Sequence, residues 1–270
     1  MTRRKDTDQG WARDASDQAA GGPTWRYDEM KHSGVDYSDV QVARNYDARH
    51  TQFRDFKRET EQIVAMLGLD NSATVIDMGC GTGAFALHAA RRYRRIHAVD
   101  VSQPMLDLAR EKAKEAQLAN IEFHRGGFLT YEHRAEPADA IVSTVALHHL
   151  PDFWKQVGLY RLAQMLRPGG RFYLFDVVFS FEIERYEAAI EAFIGTMSRS
   201  MGPAGQAEPK MHVLDEYSTY HWIMEGLLHR AGFQIDTANY INEFFAGYLC
   251  TKRVPSPTAA VPTGDTRPQR

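Results

Sequence analysis

The segment Asp77-Met78-Gly79-Cys80-Gly81-Thr82-Gly83 constrains this chain more than any other. It follows Ala73-Thr74-Val75-Ile76, a short apolar run that reads as a buried strand, and it leads into residues 84–93, whose pattern predicts a helix. Glycines at alternating positions let the backbone turn tightly and let a ligand lie against the main chain.

The same alternation continues on both sides. Residues 39–67 read as helix, with Phe53, Phe56, Ile63, Met66 and Leu67 as an apolar stripe. Short strands are expected at 96–100, 121–124, 140–143 and 171–178, and helices at 103–118 and 152–166, the latter stopped by Arg167-Pro168-Gly169-Gly170. A helix at about 216–231 ends at Gly232, and the runs 233–240 and 243–251 are joined by too short a turn for anything but antiparallel pairing. Strands alternating with helices predict an α/β fold with a mostly parallel sheet covered on both faces, plus an antiparallel C-terminal hairpin. A hydrophobic content of 43% is enough for its core, and two cysteines exclude a disulfide scaffold. The polar residues 1–24 read as a disordered leader and 254–270, rich in proline, as a flexible tail. Between them lie an N-terminal helical cap at 25–70 and a main domain at 71–253, with a helical lid insert at 179–215. No run approaches the roughly 18–20 apolar residues of a membrane span, and no secretory signal follows the basic start, so a cytoplasmic location is expected.

The glycine spacing is Gly-x-Gly-x-Gly, and Ala84 would also satisfy a dinucleotide pattern, so spacing leaves the ligand open. Asp77 narrows it. A carboxylate at the strand tip repels a pyrophosphate and suits a cationic amino-acid moiety. Asp100 ends the next strand, where an acid can accept from both ribose hydroxyls. An adenosine joined to a positively charged amino acid fits both acids, and that ligand is S-adenosylmethionine.

On these motifs the chain resembles the class I, Rossmann-like S-adenosylmethionine-dependent methyltransferases over about residues 40–251. The resemblance implies a seven-stranded sheet with a reversed last strand. It implies that Asp77, Gly79, Cys80, Gly81 and Gly83 hold the methionyl part and Asp100 the ribose, with Val101 and Met105 flanking adenine. Arg125-Gly126-Gly127-Phe128-Leu129 matches the loop that meets the adenine edge, and Ser143 ends the strand bordering the site. Many relatives carry Asp where this chain has Gly127, which shifts the adenine contact to a carbonyl or water. The segments 141–150 and Asn242-Glu243-Phe244-Phe245 look like the YrrT-like methyltransferases, a group associated with sulfur amino-acid metabolism.

Beyond the strand tips, aromatic residues of the cap and the apolar face of the insert (Ile183, Tyr186, Ile190, Phe193, Ile194, Met197) are expected to cover a small acceptor. A thiol or sulfide is the preferred acceptor. O-, N- or C-methylation of another metabolite, RNA or protein methylation, and a non-catalytic cofactor-binding module are the alternatives. A thiol needs a base within reach, and the candidates are His148, His149, Tyr37, His32, Tyr46 and His50. No metal is expected, because adjacent histidines rarely chelate and no companion ligand stands near them in sequence. A net charge of −3 gives no global case for nucleic acid, and Arg91-Arg92-Tyr93-Arg94-Arg95 reads as a solvated surface.

Overall fold

The computed structural model describes residues 25–31, 33–52 and 54–254. The expected leader, most of the tail, Phe53 and His32 therefore lie outside the described residues.

Five strands run parallel: β1 (Thr74–Met78), β2 (Arg95–Asp100), β3 (Ile121–Arg125), β4 (Ala138–Thr144) and β5 (Leu166–Phe179). Near the C-terminus follow β6 (Thr219–Tyr220), β7 (Phe233–Tyr240) and β8 (Phe245–Lys252). The order across the sheet is β3-β2-β1-β4-β5-β8-β7, with the two-residue β6 beside β5. β8 is antiparallel to both neighbours, as the short turn before it requires. The expected seven-stranded arrangement with a reversed last strand is present, and β6 is an addition to it.

Side chains of β1 alternate between two cores, as the pleat demands. Ile76 and Met78 join a cluster containing Leu159, Leu162, Met224 and Leu228 from helices α5 (Asp152–Met165) and α8 (His221–Arg230). Val75 joins Ile63, Phe85 and Leu106 from α2 (Phe56–Leu67), α3 (Ala84–Ala89) and α4 (Gln103–Glu115) on the other face. The result is three layers, with every residue of β1 buried.

The helix read across 39–67 is two helices. α1 (Val40–His50) is capped by Asp39, and α2 is capped anew by Asp55, whose side chain accepts from the Arg58 N–H. Two competent N-caps in one apolar-periodic stretch start two helices. Likewise α3 stops at Ala89, and α8 begins only after β6. The insert after β5 carries α6 (Tyr186–Gly205) and α7 (Glu208–Asp215). Strand order reverses between β1 and β4, and the space beyond their carboxyl ends is where an open α/β sheet receives its ligand.

Candidate active site

Just past β1 the chain turns on Gly79 (φ 76°), Gly81 (φ 53°) and Gly83 (φ 84°). The N–H groups of Gly79 and Cys80 both donate to the Val99 carbonyl, at 2.8 and 2.9 Å. A Cβ on Gly79 would stand 2.4 Å from that of Ala146, so only glycine lets the β1 and β4 tips meet here. Asp100 Oδ2 accepts from the Gly81 N–H and Oδ1 from the Ser102 N–H, each at 2.8 Å. Thr82 Oγ1 donates to Asp47 Oδ1 at 2.5 Å, and Lys112 Nζ also reaches Asp47, which ties α1 to the loop.

Asp77, Gly79, Cys80, Gly81, Asp100, Val101, Met105, Gly127 and Phe128 all line one cavity, which brings together most of the residues expected at a cofactor. Two expected members are elsewhere. Gly83 caps α3, and a Cβ there would lie 3.1 Å from Ala109, so its smallness serves helix packing. Ser143 is wholly buried with no partner for Oγ among the described residues, because strand alternation turns it into the core and leaves Thr144 to face the cavity. The Cys80 thiol is pushed well above its usual range by burial and then by Asp100, so it is no nucleophile.

Two observations test the pocket's fit to an adenosyl amino acid. Asp77 is 1% exposed, and its Oδ2 has no partner among the described residues. Burial first, then the Asp100 charge, push its carboxyl up to about 7. A cation placed beside it would relieve both. At the other end, Gly127 makes room for Glu29. A Cβ on residue 127 would fall 2.6 Å from Glu29 Oε2. The Glu29 carboxylate accepts from the Leu129 N–H at 2.9 Å and from Thr130 Oγ1 at 2.7 Å. The N-terminal segment thus brings a carboxylate to a loop position where residue 127 itself carries no side chain. Sequence reading missed it because Glu29 lies about a hundred residues from its partners. The one available signal was the unexplained glycine at 127.

A second cavity adjoins the first, sharing Tyr37, Tyr46, Val145 and His149. Phe193, Met197 and His212 of the insert close its far side. Val145 holds φ at 53°, an outlier for a β-branched residue, with its N–H donated to the Phe175 carbonyl at 2.7 Å. Tyr37 stands edge-on to Tyr46 and to His149, and Tyr46 stacks on His50 at 3.9 Å. Burial raises the phenols of Tyr37 and Tyr46, so they stay protonated and can donate hydrogen bonds. Burial lowers His149 to about 3, followed by repulsion from His148, and lowers His50 to about 4. Both imidazoles are neutral but weak proton acceptors. His148 does not line the first cavity: its Nδ1 lies 2.5 Å from Asp176 Oδ1, and Asp176 Oδ2 accepts from the Leu147 N–H. Despite burial, Asp176 and then Glu216 hold His148 above its usual range. Folding also overturns the ground for expecting no metal. Glu216 and His212, remote in sequence, stand against the adjacent histidines.

The methyltransferase domain family matches residues 75–170. An uncharacterized methyltransferase from Anoxybacillus flavithermus is 32% identical over 152 residues, 55% of this chain and 69% of its own. A SAM-dependent methyltransferase from Aquifex aeolicus shares the fold with a TM-score of 0.57 and 17% identity, over 79% of this chain and 98% of the other. Magnesium protoporphyrin IX methyltransferase from Synechocystis with bound SAH gives a TM-score of 0.56 and 16% identity, over 79% and 100%.

Proposed function

We propose that this chain, which belongs to the class I S-adenosylmethionine-dependent methyltransferases, methylates a small acceptor, with a thiol or sulfide preferred, in the cavity bounded by Tyr37, His149 and the insert. The observation that carries this reading is that second cavity. It shares lining residues with the cofactor cavity, and its aromatic and apolar lining is joined by four imidazoles and by the charged Arg54, Glu59, Glu208 and Glu216.

Bound S-adenosylmethionine supplies an activated methyl group on a sulfonium sulfur. Asp77 and Asp100 favour its positive amino-acid end and its ribose, while Gly79 and Gly81 admit it against the backbone. Glu29 takes the part of the missing loop acid and accepts from the adenine edge. The remaining task of the protein is positioning and exclusion of water. Tyr37 and Tyr46, held protonated, orient the acceptor by donating to it. The 25–70 segment and the insert act as cap and lid. Tyr37 and Tyr46 from the first and Phe193 from the second all line the second cavity.

A cavity walled by aromatic side chains and the insert suits a small acceptor better than a polymer. The basic run Arg91–Arg95 ends where β2 begins, at the end of the sheet away from Asp100, and provides no approach path for RNA. Labelled S-adenosylmethionine and a panel of small thiols, amines, phenols and carboxylates test the reading. Turnover is expected with thiols. Turnover confined to another class removes the thiol assignment and keeps the methyltransferase.

A further inference from the structure

We infer that His148 Nε2, His149 and the Glu216 carboxylate form a divalent-cation site of zinc type in the wall of the second cavity. One ligand atom from each of the three lies within 4.8 Å of the other two. His148 Nε2 and Glu216 Oε2 are 3.3 Å apart. A tetrahedral cation with bonds of about 2.0–2.1 Å separates its ligand atoms by roughly 3.4 Å, so that pair already spans one edge of such a site.

The imidazoles are oriented as ligands are. His148 turns Nε2 toward Glu216 because Asp176 holds Nδ1 from behind at 2.5 Å. A carboxylate behind the outer nitrogen fixes the tautomer that leaves Nε2 free to bind. His212 repeats the arrangement in mirror: Ser218 Oγ sits 2.7 Å from its Nε2, while Nδ1 faces Glu216. It is placed to become a fourth ligand or to hold Glu216. The His149 ring nitrogens make no hydrogen bond among the described residues, and the ring lines both cavities. These residues come from three distant parts of the chain. Asp176 lies in β5, Glu216 follows α7, and the histidine pair follows β4.

The inference deepens the proposed thiol methylation and rests on it for one consequence. An acceptor thiol entering this cavity would bind the cation as thiolate, its proton passing to bulk water.

Full-length protein is stripped with a chelator and titrated with Co²⁺ followed by visible absorption, and zinc is measured by equilibrium dialysis. One metal per chain is expected, with the absorption bands of a four-coordinate nitrogen–oxygen site. Glu216→Gln and His149→Gln should each weaken binding at least tenfold, with circular dichroism confirming the fold. If Glu216→Gln fails to fold, His149→Gln decides. His124→Gln, in the separate His97–Glu122–His124 group at the sheet edge, should leave the signal unchanged. No stoichiometric metal, binding that survives both substitutions, or loss on His124→Gln overturns the site. Metal binding without thiol turnover or a thiolate-to-cobalt band removes the acceptor reading alone. Thiol turnover without metal removes the site alone.

Discussion

Replacing Asp77 with asparagine should stabilise the cofactor-free protein at pH 8 while weakening its grip on the cofactor. The carboxyl is 1% exposed and sits beside a second acid, and its ionisation in the folded chain is held off until about pH 7. In the unfolded chain it ionises near 3.8. Between those values the folded state holds a proton that the unfolded state has released. The stability contributed by neutral Asp77 is therefore full below about pH 4 and is lost as pH rises through about 7. At about 1.4 kcal/mol per pKa unit, the cost of an ionised Asp77 at pH 8 approaches roughly 4 kcal/mol. Asparagine keeps the shape and never ionises. The difference in stability between variant and wild type should accordingly grow from near zero at pH 4 to several kcal/mol at pH 8. In a domain of this size that is on the order of 10 °C in Tm. Taking the difference at each pH cancels the other carboxylates and histidines. Thermal melts of both proteins from pH 4 to 8 supply the measurement, and titration calorimetry at pH 8 supplies the cofactor affinity. A stability difference that does not change with pH would refute the burial argument. Undiminished cofactor affinity in the variant would refute the role given to the charge.

Asp100→Ala removes a carboxylate that accepts from both Gly81 and Ser102. At about 1.5–3 kcal/mol per charged hydrogen bond, cofactor affinity should fall at least tenfold in calorimetry, and an unchanged Kd contradicts the site map. Glu29→Gln keeps the contacts' shape and loses the charge. Cofactor affinity should drop by about tenfold with little change in Tm, and equal affinity would return the adenine contact to a backbone group. Gly79→Ala combines a positive φ with a Cβ 2.4 Å from Ala146. A loss of about 2–4 kcal/mol in denaturant melts is expected, and less than about 1 kcal/mol would show that the strand tips yield.

Much of the architecture was legible because its signals are local. The apolar run at 73–76, the glycines after it and the short turn before β8 each dictate their own geometry within a few residues. The misplacements share a cause as well. The apolar stripe of 39–67 satisfies helix periodicity throughout, and only the competition between Asp39 and Asp55 as caps decides that two helices form. The extension of β4 to Ala138 and of β5 back to Leu166 arises from pairing between the two strands, which neither segment reveals alone.

The site divides along the same line. Asp77, Gly79, Gly81 and Asp100 announce themselves because strand–loop–helix spacing fixes where they stand. Glu29, Asp176 and Glu216 meet partners far along the chain, and no spacing rule reaches them; His212 meets Glu216 only four residues on, yet nothing local brings that pair to His148. Ser143 shows the limit from the other side: it stands at the expected strand end, yet a period of two decides that Thr144 faces the cavity. Gly127 is the instructive case between these. In the sequence it is a missing acid. In the fold it is the space that admits a carboxylate from residue 29, so the Gly127 and Glu29 positions are coupled by volume as well as charge. An acid restored at 127 would collide with Glu29. Gly127→Asp should therefore impair folding in the wild-type background and impair it less with Glu29→Ala, with the remaining cost set by Val101 Cγ1 at 2.9 Å from the new Cβ, a partial rescue measurable as a double-mutant coupling in Tm. Additive losses would mean that the two positions do not share that space.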